Sequence, residues 1–103
     1  MLPKNRIPTH PGEILRYEFL EPMGISQSAF ASHIGVPLQR VNEIVLGKRG
    51  VTSETAWLFA QAFGTTAEFW TNLQSGYDLA KYKPTREVTR IQASSSRGRV
   101  ASS

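Results

Sequence analysis

Apolar residues recur along this chain at helical intervals, in five runs separated by glycine or proline. In the first, Ile14, Leu15 and Phe19 share a side. Pro11 suits the opening turn, Glu13 complements the positive end of the helix dipole, and Pro22 and Gly24 predict the end. Ser26 is an N-cap for a second, short helix in which Phe30, Ala31 and Ile34 lie together and which Gly35 stops. Pro37 opens a third at the one place where proline helps; Val41, Ile44 and Val45 face inward and Gly47 closes it. Thr52 caps a fourth, with Ala56, Phe59, Ala60 and Phe63 spaced as one face and Gly64 at its end. Thr66 caps a fifth, with Glu68 in its first turn and Phe69, Trp70, Leu73, Tyr77 and Ala80 on its apolar side. Gly76 inside it costs about 1 kcal/mol against alanine, which predicts a soft or closely packed point. Periodicity disappears from Pro84 onward, and no strand-like alternation of useful length occurs. The fold class is therefore all-α with five helices.

The 103 residues leave room for one domain, and the 40% hydrophobic content is enough for a modest core. With no cysteine, and with His10 and His33 lacking partners at metal spacing, neither disulfide, metal nor other cofactor is expected. The start, MLPKNRIP, lacks the apolar run of a signal peptide, and no stretch reaches the roughly 18 apolar residues of a membrane span. The expected location is the cytoplasm, without membrane contact. The net charge of +4 invites a nucleic-acid reading, but residues 1–80 hold six basic against seven acidic residues, whereas residues 81–103 hold six against Glu87 alone. Basicity belongs to the tail, so it says little about the folded part. The chain divides into a helical unit at 1–83 and a basic tail at 84–103, polar and rich in small residues at its end and expected to be flexible.

The informative stretch is SQSAFASHIGVPLQRVNEIVLGKR, Ser26 to Arg49. A helix-turn-helix needs a small residue where its helices cross, a left-handed residue at the turn, and apolar residues that seat the second helix. Counting from Gln27, Ala31 is fifth and Gly35 ninth, with Phe30, Ile34, Val36, Val41 and Ile44 at the apolar places. With Val41 inward, Gln39 and Glu43 project nearly opposite the core and Arg40 and Asn42 lie on the flanks. Gln39 and Asn42 suit an adenine edge, and Arg40 suits guanine or a phosphate. Glu43 is unfavourable beside phosphates, but it can accept from a cytosine amino group or fix Arg40 one turn away, and we read it as an orienting residue. Gln27 and Ser28 open the second helix, where phosphates are commonly met, and Lys48 and Arg49 just past the third are natural phosphate contacts.

The helix-turn-helix resembles the phage-repressor type, as in lambda repressor-like domains, and the wider pattern is similar to the HigA antitoxin family. The matching stretches are Thr9 to Leu15, Phe19 to Ala31, Gly35 to Thr52 and Ala62 to Ala80, about three quarters of the chain. Leu46 stands where that family usually has asparagine, Leu58 where a charged residue is more usual, and Gly76 at a place that is commonly polar. The resemblance implies a small, usually dimeric all-helical fold that represses its own operon and neutralises a HigB-like ribonuclease, a toxin that cleaves mRNA on the ribosome. The motif does not cover the tail after Tyr82.

His10 in THPGE reads as a cap or packing residue rather than a catalyst, and His33 is expected to face solvent. Phe59, Phe63, Phe69 and Trp70 lie at core spacing with no basic residues interleaved, so they build the core rather than stack bases. Trp57, on a flank of the fourth helix, and Leu58, outside it, are candidates for a partner surface, and Tyr77 and Leu79 for a dimer contact. A homodimer also follows from recognition, since one short helix reads few base pairs, and it calls for an inverted-repeat operator with half-sites about 34 Å apart or a multiple of that. No paired carboxylates, activated nucleophile or phosphate loop can be assembled, so an enzyme is the least supported class. The competing readings are a repressor of the same fold without a toxin partner and an interaction module that has lost DNA binding.

Overall fold

The structure, a computed structural model, describes residues 8–92. Helix α1 starts at Pro11–Ile14, continues as a π-helical stretch Leu15–Leu20 and ends in a last α-helical turn, Glu21–Met23. It is followed by α2 (Gln27–Ile34), α3 (Leu38–Val45), α4 (Ser53–Phe63) and α5 (Ala67–Lys81), and no strand occurs among the described residues.

Side-chain caps start four of the five. The Oγ of Ser26 accepts from the Ala29 N–H at 3.0 Å, and the Oγ1 atoms of Thr52 and Thr66 accept from Thr55 at 3.2 Å and Phe69 at 3.1 Å. At α1 the cap is His10, whose Nδ1 accepts from the Gly12 N–H at 2.9 Å. Burial pushes the His10 pKa below its ordinary value, which keeps the imidazole neutral and its Nδ1 lone pair available to the cap.

Two boundaries and one helix interior differ from the sequence expectation. Pro22 does not end α1, which runs through it to Gly24. Proline lacks an N–H and crowds the carbonyl four residues back; the wider π turn, with Glu21 N–H donating to the Arg16 carbonyl, absorbs that crowding. Pro37 stands just outside α3 in extended backbone, and its carbonyl accepts from Arg40 N–H at 3.0 Å, so the helix opens at Leu38. At Gly76, α5 is continuous and a Cβ would meet nothing within 4 Å, so that glycine serves no close approach.

The core gathers Leu15 and Leu20 of α1, Phe30 and Ala31 of α2, Val41 and Ile44 of α3, Ala56 and Phe59 of α4 and Trp70 of α5. Phe30 stacks on Phe63 with centroids 5.0 Å apart, Phe59 meets Trp70 edge-on at 5.0 Å, and the Trp70 indole N–H donates to Thr65 Oγ1 at 2.8 Å. Phe69 is less buried than its spacing predicts; it closes the edge of the cluster against Trp70. Ala80 is exposed because the last turn of α5 extends past the core, and residues 84–92 continue as exposed, non-helical chain. The expectation of a flexible tail otherwise falls on residues 93–103, outside the described residues.

One contact seats α1 on α3. A Cβ built on Gly12 would lie 1.8 Å from the Ile44 carbonyl oxygen and 3.0 Å from Val45 Cα, all backbone atoms that no side-chain rotation can clear. Gly12→Ala is therefore expected to cost about 3 kcal/mol, lowering the thermal midpoint by roughly 10 °C or more. Gly76→Ala, on open helix surface, should raise stability by about 0.5–1 kcal/mol. Scanning calorimetry of the two variants checks this, and equal midpoints would remove the Gly12 contact from the explanation of the fold.

Candidate nucleic-acid interface

Helices α2 and α3 meet across Ala31, which is buried, and turn at Gly35, whose φ of 78° is one that L side chains rarely adopt. Val41, Ile44 and Val45 are buried, so α3 cannot roll on the core. Its opposite side differs in part from the expected placement: Gln39 is exposed and Arg40 half-buried as the projection has them, but Asn42, expected on a flank, is exposed, and Glu43, expected opposite the core, is half-buried. Ser28 is exposed in the first turn of α2, and Lys48 and Arg49 are exposed in the loop after α3.

Hydrogen bonds between these side chains order the surface. Asn42 Nδ2 donates to Gln27 Oε1 at 3.1 Å, which ties the first residue of α2 to the middle of α3. Gln27 keeps its amide N–H groups for a phosphate, and Asn42 keeps its carbonyl oxygen and a second N–H for a base. The Glu43 carboxylate accepts from Arg49 Nε at 2.8 Å through Oε1 and from Gln39 Nε2 at 3.0 Å through Oε2. Its expected partner, Arg40, is not the one it holds. The loop curls back so that the Lys48 and Arg49 N–H groups both donate to the Glu43 carbonyl, at 2.8 and 3.2 Å, and this brings Arg49 within reach. The bond from Arg49, followed by that from Gln39, holds the Glu43 carboxyl below the ordinary glutamate range. Clipped in this way, Gln39 retains one acceptor and one donor, the pair that an adenine edge requires. The carboxylate that would repel phosphates is meanwhile paired with a guanidinium.

Leu38, which the sequence pattern did not single out, and Leu46, which stands where the family usually has asparagine, are about half exposed and flank α3 at its two ends. Leu38 lies one turn before Val41, and helical projection could have placed it beside Gln39; its chemistry suits a thymine methyl group.

The partner candidates are rearranged. Trp57 is 59% exposed, whereas Leu58, expected to point outward, is half-buried and lines a groove with His33, Ile34 and Gln61, because α2 packs along that side of α4. His33 is exposed as expected. Tyr77 and Leu79 do not share a face: Tyr77 packs against the His10 ring with centroids 4.7 Å apart, and Leu79 is 75% exposed. Among the described residues no helix is long and apolar enough to cross a membrane.

This geometry can be set beside known proteins. The family pattern described as helix-turn-helix matches residues 17–70. Virulence-associated protein I of Dichelobacter nodosus is 49% identical over 85% of this chain and 82% of its own length. Antitoxin HigA-1 of Vibrio cholerae is 45% identical over 72% of this chain and 70% of its own. The solved structure of Pseudomonas aeruginosa antitoxin HigA with the higBA promoter superposes with a TM-score of 0.71 at 47% identity, over 72% of this chain and 80% of that one. The chain belongs to the HigA family of helix-turn-helix proteins. The family pattern spans the stretch from Gln27 to Arg49, whereas Tyr77, Leu79 and the last turn of α5 lie beyond it.

The Glu43 clip of this HigA-family protein is directly measurable. In a carbon-detected NMR titration the Glu43 carboxyl should titrate below the ordinary glutamate range. Arg49→Ala should raise its midpoint most and Gln39→Ala less. A midpoint indifferent to Arg49→Ala would mean that the clip does not form in solution.

Proposed function

We infer that this HigA-family protein is an operator-binding antitoxin, a repressor of its own operon that neutralises a HigB-like mRNA-cleaving toxin. The observation that carries this reading is the outer face of α3, where Gln39, Arg40 and Asn42 stand ready with Glu43 as their orienting residue. Gln39 and Asn42 read adenine edges, and Arg40 reads guanine or grips a phosphate. Gln27, Ser28, Lys48 and Arg49 hold the backbone and fix the register. Residues 1–83 form the DNA-binding unit and 84–103 a basic tail that adds sequence-independent attraction.

The protein acts as a homodimer on an inverted repeat, since one α3 covers too few base pairs for useful specificity. Leu79, exposed and unlike Tyr77 not packed against His10, is the better of the two candidates for the dimer contact. Trp57 heads the surface offered to the toxin, with Leu58 at its edge. The relative from Vibrio cholerae is named an antitoxin, and the Pseudomonas aeruginosa relative was solved with promoter DNA, which supports both halves of the reading.

Gel shift with the DNA upstream of the gene tests the recognition helix. Changing Gln39 and Arg40 together to alanine should weaken operator binding by about 30-fold or more, with a smaller loss on unrelated duplex, since each base contact contributes about 1–3 kcal/mol of discrimination. Unchanged binding by the double variant would sink the assignment. Co-purification of a compact basic protein from the neighbouring reading frame supports the antitoxin reading, and its absence favours a repressor without a toxin.

A further inference from the structure

Between the loop that follows α3 and the last turns of α5 lies a cavity of about 400 Å³ that base recognition does not use. Lys48 and Arg49 form one wall, and Tyr77, Lys81 and Tyr82 form the other. Its carboxylate, Asp78, is engaged by Gln74 Nε2 at 2.9 Å. The same Gln74 accepts from the Val51 N–H at 2.8 Å through Oε1, so one side chain fastens the loop to α5 and fixes the spacing of the two walls.

The α5 wall is preset for an anion. Lys81 Nζ donates to the Tyr77 hydroxyl at 3.2 Å and sits 5.4 and 5.5 Å from the centroids of the Tyr77 and Tyr82 rings. The Tyr77 oxygen is thus occupied as an acceptor, and its own proton is left to donate. Tyr77 is itself held by the His10 ring, so this donor is fixed from behind. The hydroxyl and the paired rings also push the Lys81 pKa up, favouring the ammonium. Two ammonium groups, Lys48 and Lys81, and a hydroxyl proton surround one carboxylate that Gln74 engages, while Arg49 is paired with Glu43; this set matches a tetrahedral oxyanion better than a cationic ligand.

We propose that this cavity is a phosphate site, in which Lys48 and Lys81 grip the group from opposite walls and the Tyr77 hydroxyl donates to it. It is separate from the base-reading face, and it brings α5 into contact with ligand. The phosphate is either one of the DNA backbone, adjacent to the stretch covered by α3, or that of a small free anion, for which the volume also suffices. The DNA source rests on the operator-binding reading above; the site itself does not.

The test uses the full chain and two variants, Lys81→Ala and Tyr77→Phe. Lys81 is exposed at the end of α5, and Tyr77→Phe keeps the ring on His10, so both should retain the wild-type circular dichroism spectrum. Duplex affinity is measured across a salt series, and inorganic phosphate is titrated into the free protein while the NMR signals of Lys48, Tyr77 and Lys81 are followed. If the phosphate comes from DNA, Lys81→Ala removes one contact from each protomer of the bound dimer and lowers the slope of log affinity against log salt by about 1.8, a loss of roughly 60-fold at 0.1 M salt, equally on operator and unrelated duplex. If it comes from a free anion, the slope is unchanged, and inorganic phosphate shifts the three signals in wild type but leaves those of Lys48 and Tyr77 unmoved in Lys81→Ala. Tyr77→Phe weakens whichever of the two responses is seen. An unchanged slope together with no response to phosphate overturns the site. A wild type that fails to bind DNA refutes the operator reading, and the phosphate titration then decides the cavity alone.

Discussion

The rest of the molecule depends on the backbone contact between Gly12 and the carbonyl of Ile44, since it sets how far α1 lies from α3. Only a residue without a Cβ permits it. Around it His10 closes the start of α1 with its ring nitrogen, and its ring packs edge-on against Tyr77 of α5, so one histidine joins α1 to α5 beside Gly47, just past the end of α3. Burial keeps that histidine neutral, and neutrality preserves the cap. The depth and tilt of α3, and therefore what its outer face can reach, follow from this close packing of α1 on its inner side.

The electrostatics take a course that net charge conceals. Residues 1–80 carry one more acid than base, so attraction to a polyanion has to be arranged locally. Lys48 and Arg49 beside α3 are the basic residues placed for it, and a set of polar pairs orders the surface next to them: Glu43 with Arg49 and Gln39, and Gln27 with Asn42. Exposed bonds of this kind add little to stability. Their effect is orientation: they limit the rotamers of the side chains proposed to meet base edges, which would reduce the ordering cost at binding. The half-exposed leucines at either end of α3 frame that polar strip with apolar surface.

Most of the fold was legible because its signals are local. Ser26, Thr52 and Thr66 bond the N–H groups their positions suggest, and Gly24, Gly35 and Gly64 each stop a helix. The inward faces followed from periodicity, apart from Phe69 and Ala80 at the edges of α5, where the core stops before the pattern does. What the sequence hid is non-local. The π stretch of α1 answers to a proline further along the helix, the Gly12 contact joins residues far apart in sequence, and Asn42 meets Gln27 only because two helices cross there. Arg40 was the natural partner for Glu43 by helical spacing; Arg49 displaced it because a loop folded back. Trp57 and Leu58 exchanged roles because the neighbour along α4 was unknown until α2 was in place.

The claim on which this reading stands is that the outer face of α3 meets bases. Titration of isotope-labelled protein with its operator duplex, following the side-chain amide signals of Gln39 and Asn42 against the buried indole of Trp70, tests it directly. Both amides should shift and saturate with operator while the Trp70 indole stays in place. Amides that do not move while the protein demonstrably binds the duplex would contradict it.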